Sequence, residues 1–278
     1  MKTAWVTGAG GLIGKYLAEN ARDFAVIPLT HSELELTDFE AVEQRFRADR
    51  PQLIIHCAAM SKSPDCQANP ALARKTNVEA TAHLAALAAE IGFIAFSSDL
   101  VFDGRKGNYL ETDAVNPFSI YAETKAEADQ IVLTNPRHTV IRTSLNSGIS
   151  PRGNSGFNEQ LQISWRKGET LKLFFDEFRC PISAAVTARA VWELARQNRA
   201  GLYHLAGSER LSRVDIGNLA AARHPELNPR IEPCSLREYR GAPRPADTSL
   251  NCAKVQKLLS FPLPGLTQYL HENPSEPF

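Results

Sequence analysis

Tyr121-Ala122-Glu123-Thr124-Lys125 sets a phenol and an ammonium four residues apart. On a helix that is close to one turn, so both side chains leave the same face. A phenol with a pKa near ~10 is a poor proton donor or acceptor at neutral pH, and a neighbouring ammonium favours its phenolate and draws it toward the working range. The pair therefore suits proton transfer at an oxygen atom, although an exposed helical face produces the same spacing. A second polar group is Phe96-Ser97-Ser98-Asp99, at the end of an apolar run. Ser98 can donate a hydrogen bond to a carbonyl, and Asp99 can hold a hydroxyl or assist protonation; a polar strand-to-loop transition is the plainer account of both.

Thr7-Gly8-Ala9-Gly10-Gly11-Leu12-Ile13-Gly14 carries glycines at 8, 11 and 14, behind an apolar strand and ahead of a helical segment. Gly8 permits a tight turn, Gly11 lets the backbone approach a diphosphate, and Gly14 lets the helix pack on the strand. The free N–H groups of the helix start favour phosphate. With Gly10, Leu12 and Ile13 completing it, the loop reads as a dinucleotide-binding turn, against the alternative of a purely structural one. At the end of the second strand, Pro28-Leu29-Thr30-His31-Ser32 has no acid where a carboxylate would bond a ribose 2′-hydroxyl. A 2′-phosphate would meet no repulsion there and would find donors on Thr30, His31 and Ser32. NADPH is favoured on this ground, with NADH as the alternative. Asp38 either contacts the adenine amino group or stabilises a helix start.

These groups need a scaffold that brings strand ends together. Up to residue 145, short β-rich runs (Ala4 to Thr7, Ala25 to Leu29, Leu53 to Cys57, Ile94 to Ser97, Thr139 to Arg142) alternate with helical segments beginning near Leu12, Phe39, Leu72 and Tyr121. That is the pattern of a parallel sheet built from βαβ units. Thr37-Asp38-Phe39-Glu40 has capping-box spacing, so the second helix is expected to be capped by Thr37, and Asn77 to Glu90 reads as one helix on the sheet. The turn-rich Ser150-Pro151-Arg152-Gly153-Asn154-Ser155-Gly156 marks a crossing. A helix around Asn158 to Arg166, a strand near Leu171 to Phe175, a helix near Ala185 to Arg196 and a strand at Gly201 to Leu205 follow, and the proline-rich tail reads as irregular. The expected fold is α/β, a Rossmann-like doubly wound parallel sheet with a smaller mixed C-terminal lobe. Residues 1–149, with 182–205 returning, form the dinucleotide lobe; 150–181 and 206–278 form the substrate lobe.

With 278 residues, 43% of them hydrophobic, the chain can bury a full core. Its 31 basic and 31 acidic residues are interspersed, which argues against nucleic acid as a partner. No apolar run reaches membrane-spanning length and no room is left for a signal peptide, so a cytoplasmic location is expected. Cys57, Cys66, Cys180, Cys234 and Cys252 lack paired spacing and read as reduced. His56, His83 and His204 lie in apolar surroundings as satisfied structural histidines, and no metal is expected in the chemistry.

The sequence resembles the extended short-chain dehydrogenases, most closely the dTDP-4-dehydrorhamnose reductases, over nearly its whole length. Ser97-Ser98-Asp99-Leu100-Val101-Phe102-Asp103-Gly104 is similar to that family's S-T-D-Y-V-F-D-G. Glu111-Thr112-Asp113 followed by Asn116-Pro117 and Tyr121 is similar to its E-T-D-x-x-x-P-x-x-x-Y-G-x-T-K. Ile141-Arg142-Thr143-Ser144, Gly201-Leu202-Tyr203-His204-Leu205, and Arg244-Pro245 with Ser249-Leu250-Asn251 and Lys254 match further segments. The resemblance implies a triad of Ser98, Tyr121 and Lys125, with Asp99 assisting. Cys57, Ala58 and Ala59 would line the cofactor, and Asn77 would support a relay water or the cofactor loop. It implies NADPH-dependent reduction of a keto group on a nucleotide-linked deoxysugar, with Arg179 reaching a diphosphate and Arg244 at the substrate. Leu100 and Leu145 stand where the family has a sugar-contacting Tyr and Trp, so the sugar pocket differs. A different carbonyl substrate, an epimerising relative, or a non-catalytic subunit regulating a partner enzyme, as in methionine adenosyltransferase, are the other readings; a homodimer is the expected assembly.

Overall fold

The computed structural model describes residues 1–241, 243–276 and 278. The first half runs β1 (Lys2–Thr7), α1 (Leu12–Glu19), β2 (Phe24–Leu29), α2 (Phe39–Asp49), β3 (Leu53–His56), α3 (Ser63–Ala68), α4 (Pro70–Arg74), a π-helical turn at Lys75–Glu79, α5 (Ala80–Leu87) and β4 (Gly92–Ser98). A 3-10 turn at Asp99–Val101, α6 (Ile120–Val132) and β5 (His138–Thr143) follow. Next come β6 (Asn146–Ser147), α7 (Phe157–Arg166), β7 (Thr170–Phe174), β8 (Phe178–Arg179), β9 (Ile182–Ser183), α8 (Ala184–Arg196) and β10 (Gly201–Leu205). The chain ends with β11 (Leu211–Ser212), α9 (Arg213–Arg223), β12 (Arg230–Cys234), α10 (Ala253–Gln256) and α11 (Leu266–Glu272).

Six parallel strands form the central sheet in the order β2-β1-β3-β4-β5-β10. β3 is buried along its whole length because helices cover both faces, which is why Leu53-Ile54-Ile55 reads as an unbroken apolar run. Alternate residues feed opposite layers. Leu53 and Ile55 join Leu17 and Trp192 under α1 and α8, whereas Ile54 joins Val42 and Leu84 under α2 and α5. Trp192 donates from Nε1 to Leu17 O at 3.0 Å and stacks on Phe24; core aromatics of this kind contribute about 3–5 kcal/mol each. β2 closes one edge of the sheet, where Pro28 is tolerated without breaking an inner ladder. A separate cluster of Leu161, Trp165, Leu173, Ile216, Ala220, Leu266 and Leu270 sits beneath the parallel pair β7 and β12.

The chain leaves β1 for β2 on one side and returns to β3 on the other, so winding reverses between β1 and β3. Thr7 pairs with His56 in register there, and the loops after the two strands lie at their C-terminal ends, the position where open α/β sheets bind ligands.

Three local expectations are corrected. Asp38, not Thr37, caps α2: its Oδ1 accepts from Ala41 N at 3.1 Å, while Thr37 N and Oγ1 both donate to Glu35. The segment expected as one helix from Asn77 is a π turn followed by a shorter α5. The tail is not irregular throughout, since α11 and β12 lie within it and α9 precedes them, started by a reciprocal cap between Ser212 and Asp215.

Candidate active site

Gly11 ends the glycine loop as the N-cap of α1 and offers no side-chain cap, while its own N–H closes the turn on Gly8 O at 2.9 Å. The first amides of α1 thus remain open to an anion. Gly8 has φ +68°, and a β-carbon on it would lie 2.6 Å from Ala58 N. A β-carbon on Gly14 would lie 2.2 Å from Gly8 O, whereas one on Gly10 would meet nothing closer than Thr30 Cγ2 at 3.7 Å. Gly8 and Gly14 therefore buy compactness, and Gly10 keeps one face of the loop clear; together with the adjoining Leu12 and Ile13 amides this cradle fits a dinucleotide pyrophosphate. Replacing Gly14 by alanine is expected to weaken NADPH binding by about 100-fold and to cost about 1–3 kcal/mol of stability, because the intruding atom meets backbone. Calorimetric titration and urea unfolding check both; a variant that binds as wild type would remove Gly14 from the cradle.

Packed against Gly8, Cys57, Ala58 and Ala59 follow β3 and are partly covered. Burial pushes the Cys57 thiol far up, so it is held as a small neutral wall rather than a nucleophile. At the end of β2 the structure differs from expectation. Glu33 folds back so that its Oε2 accepts from both Thr30 N and Thr30 Oγ1 at 2.7 Å, which places a carboxylate where the local sequence shows none. His31 is turned onto Glu35 at 2.7 Å, and Ser32 Oγ lies 3.0 Å from Thr30 Oγ1. Asp38 is spent on its helix cap.

Ser119 starts α6 by accepting from Ala122 N at 3.3 Å. The helix then presents Tyr121, Lys125 and Asp129 one turn apart on one face, against the C-terminal half of β4. Ser98, the last residue of β4, lies beside the Tyr121 hydroxyl. The expected lowering of the phenol by Lys125 is not what the structure produces: burial dominates and pushes Tyr121 up to about 12, with Ser98 opposing. The phenol accordingly rests protonated, ready to give a proton. Lys125 is pulled down by desolvation, with Asp129 acting against that loss. Asp129 is itself buried and accepts from Arg142 Nε at 2.9 Å. Its place in the site was hidden in the sequence, although it continues the spacing of Tyr121 and Lys125.

A buried polar chain joins this helix to the glycine loop. Thr81 Oγ1 donates to Asn77 O at 2.7 Å, so it accepts from His56 Nε2 at 3.0 Å. His56 Nδ1 is then the acceptor for Thr7 Oγ1 at 2.7 Å. The π turn aims Asn77 inward, where it holds Met60 N and O and donates to Thr124 Oγ1 at 3.0 Å. Asn77 thereby fixes the loop after β3. Among the described residues, His56 alone of the three apolar-set histidines has both ring nitrogens bonded; Nε2 of His83 and of His204 has no partner, which corrects their reading as satisfied.

Burial pushes His56 down to about 3, with the Lys125 ammonium adding to the effect. Unfolded, the ring titrates near ~6.5. Its contribution to stability is therefore complete above that value and is lost as pH falls from there toward 3. Between pH 7.5 and 5 this side chain is expected to remove about 2 kcal/mol, and a His56→Gln variant should show a shallower acid limb by close to one proton in urea unfolding. Equal slopes in the two proteins would contradict the assignment.

Two polar residues expected at the substrate bind each other instead. Asp99 is 1% exposed and pairs with Arg179, whose Nη2 donates to Oδ1 at 2.8 Å while Nε stands 2.8 Å from Oδ2 without the angle of a hydrogen bond. Ser144 Oγ at 2.7 Å, Thr248 Oγ1 at 3.2 Å and Ser98 Oγ at 3.3 Å also donate to it. With its acceptor sites filled, Asp99 ties four chain segments together and is not free to hold a sugar hydroxyl, and Arg179 is not free to grip a diphosphate. Arg244 makes a two-point bond to Glu177, at 2.7 and 3.0 Å, and Arg213 stands 3.8 Å from the same carboxylate. Arg213, at the start of α9, went unread in the sequence; desolvation pulls its guanidinium down to about 10. Three guanidiniums thus face two carboxylates on this wall.

The RmlD substrate binding domain family matches residues 1–274. The chain belongs to this family. Among its relatives, the dTDP-4-dehydrorhamnose reductase of Sinorhizobium fredii is 30% identical over 276 residues, covering 94% of this chain and 92% of that one. The methionine adenosyltransferase 2 subunit beta of Xenopus laevis is 27% identical over 278 residues, covering 92% and 82%. The fold is shared with the crystal structure of a Bacillus anthracis dTDP-4-dehydrorhamnose reductase in complex with NADP, at a TM-score of 0.89 and 22% identity, covering 98% of each chain.

Within the family frame, Leu100 lies on the 3-10 turn after β4, its N–H donating to Ser98 Oγ at 3.2 Å. Leu145 packs against the cluster of Leu161, Trp165 and Leu173. Among the described residues no helix is long and apolar enough to cross a membrane.

Proposed function

We propose that the protein is an NADPH-dependent oxidoreductase that reduces a keto group on a nucleotide-linked deoxysugar. What supports this reading is the grouping of Ser98, Tyr121 and Lys125 where α6 packs on β4, with Lys125 near Cys57 on the loop against which Gly8 packs. A nicotinamide, when bound, would supply the hydride that the carbonyl carbon takes up. Tyr121 Oη gives its proton to the carbonyl oxygen, which suits a phenol that rests protonated. Ser98 Oγ donates to Asp99 Oδ1 at 3.3 Å in the free protein, and turned from it the same O–H would donate to the carbonyl oxygen as negative charge develops. Lys125, one turn on and buried, stabilises the phenolate left behind, and Asp129 helps to keep the ammonium charged.

Residues 1–149 and 182–205 would form the dinucleotide lobe, and 150–181 with 206–278 the substrate lobe. In this division Arg244 is held by Glu177, and Arg213, 3.8 Å from the same carboxylate, offers the positive charge for a diphosphate. Leu100 and Leu145 give the sugar side of the cleft an aliphatic character that favours a deoxygenated ring. A cytoplasmic homodimer is the working assembly. The test is loss of NADPH absorbance when the protein is offered a dTDP-4-keto-6-deoxysugar. Turnover supports the reading, whereas tight NADPH binding without turnover on this or related keto-sugar nucleotides would favour a non-catalytic dinucleotide-binding subunit.

A further inference from the structure

We propose that the Glu33 carboxylate sets the preference between a 2′-phosphorylated and an unphosphorylated dinucleotide. The inference rests on the dinucleotide-dependent reading above and adds to it a residue that governs cofactor choice. Thr30 stands directly after β2, beside the open face of Gly10, at the place where the ribose of an adenosine lies when its diphosphate sits on the α1 amides. The strand end is pinned to the loop, since Ala9 N donates to Leu29 O at 3.2 Å. Thr30 offers two donors there, N–H and Oγ1–H, and Glu33 Oε2 takes both at 2.7 Å. These bonds also hold the Glu33 carboxyl below its ordinary range, so it is ionised at neutral pH.

An internal anion therefore occupies the donors that a 2′-phosphate would use. A ribose carrying a free 2′-hydroxyl can leave Glu33 in place and donate to it. A 2′-phosphate has only acceptors and a like charge, so Glu33 must swing out before Thr30 N, Thr30 Oγ1 and Ser32 Oγ can serve the phosphate. The second carboxylate nearby, Glu35, does not touch these donors; it accepts from Thr37 and pairs with His31. The site can admit both nucleotides, and the ease of displacing Glu33 fixes their ratio.

The test is calorimetric titration of wild type, Glu33→Gln and Glu35→Gln with 2′,5′-ADP, 5′-AMP, NADPH and NADH. Glu33→Gln is expected to tighten 2′,5′-ADP and NADPH by about tenfold, the size of one solvent-screened charge acting at short range. It should leave 5′-AMP and NADH within about twofold, and Glu35→Gln should leave all four within about twofold. Unchanged ratios in Glu33→Gln, or equal gains in the two variants, would overturn the role of Glu33 while leaving the dinucleotide site intact. Failure of wild type to bind any of the four would instead overturn the dinucleotide reading, and this inference with it.

Discussion

Replacing Tyr121 by phenylalanine is expected to lower turnover by about 10²–10⁴-fold while leaving NADPH affinity within about twofold. The ring keeps its packing, and only the hydroxyl beside Ser98 is removed. Because burial pushes that hydroxyl up to about 12, the free enzyme holds it protonated through neutral and mildly alkaline pH. Loss of the donor's own proton therefore should not limit reduction in that range. The alkaline fall should come earlier, from Lys125, which desolvation pulls below its ordinary value. Steady-state kinetics across pH, alongside fluorescence titration with NADPH, measures both parts. A Tyr121→Phe protein with wild-type turnover would remove the phenol from the chemistry.

The largest effect on stability is expected at Asp99. Changing it to asparagine leaves the Arg179 guanidinium, 6% exposed, without its counter-ion. Breaking one partner of such a buried pair costs about 3–5 kcal/mol. Removing both charges together, as Asp99→Leu with Arg179→Met, should recover at least half of that loss, because an apolar pair leaves no buried charge behind. Urea unfolding of the two proteins separates the cases. A double variant as unstable as the single one would mean that the hydrogen bonds from Ser144 and Thr248, rather than the charge pair, hold the junction.

The parts of this site that are local in sequence were legible there. The glycine spacing, the strand ahead of Ser98 and the turn between Tyr121 and Lys125 each follow from a period of a few residues, and backbone geometry fixes what such spacings do. What stayed hidden depends on distant partners. Asp99 and Arg179 are 80 residues apart, and Glu177 and Arg244 are 67 apart; nothing in either neighbourhood says which carboxylate will meet which guanidinium. Glu33 lies close to Thr30, yet its return depends on a turn in which Glu33 N and Leu34 N both bond Thr30 O, a geometry that pattern alone does not reveal. Helix α9 was missed because Arg213-Val214-Asp215-Ile216-Gly217-Asn218 carries a glycine and little apolar period. The spacing of Ser212 and Asp215 was the available signal, since the two residues cap each other.

The four-segment junction at Asp99 also bears on how the protein is made. Its last donor, Thr248, lies 149 residues beyond Asp99. At about 5–20 residues per second, a ribosome needs roughly 7–30 seconds to cover that interval. Throughout it, the loops after β1 and β3 can already be in place while Asp99 still lacks Thr248, and for much of it Arg179 as well. The junction at Asp99 therefore closes late, when the C-terminal segments dock.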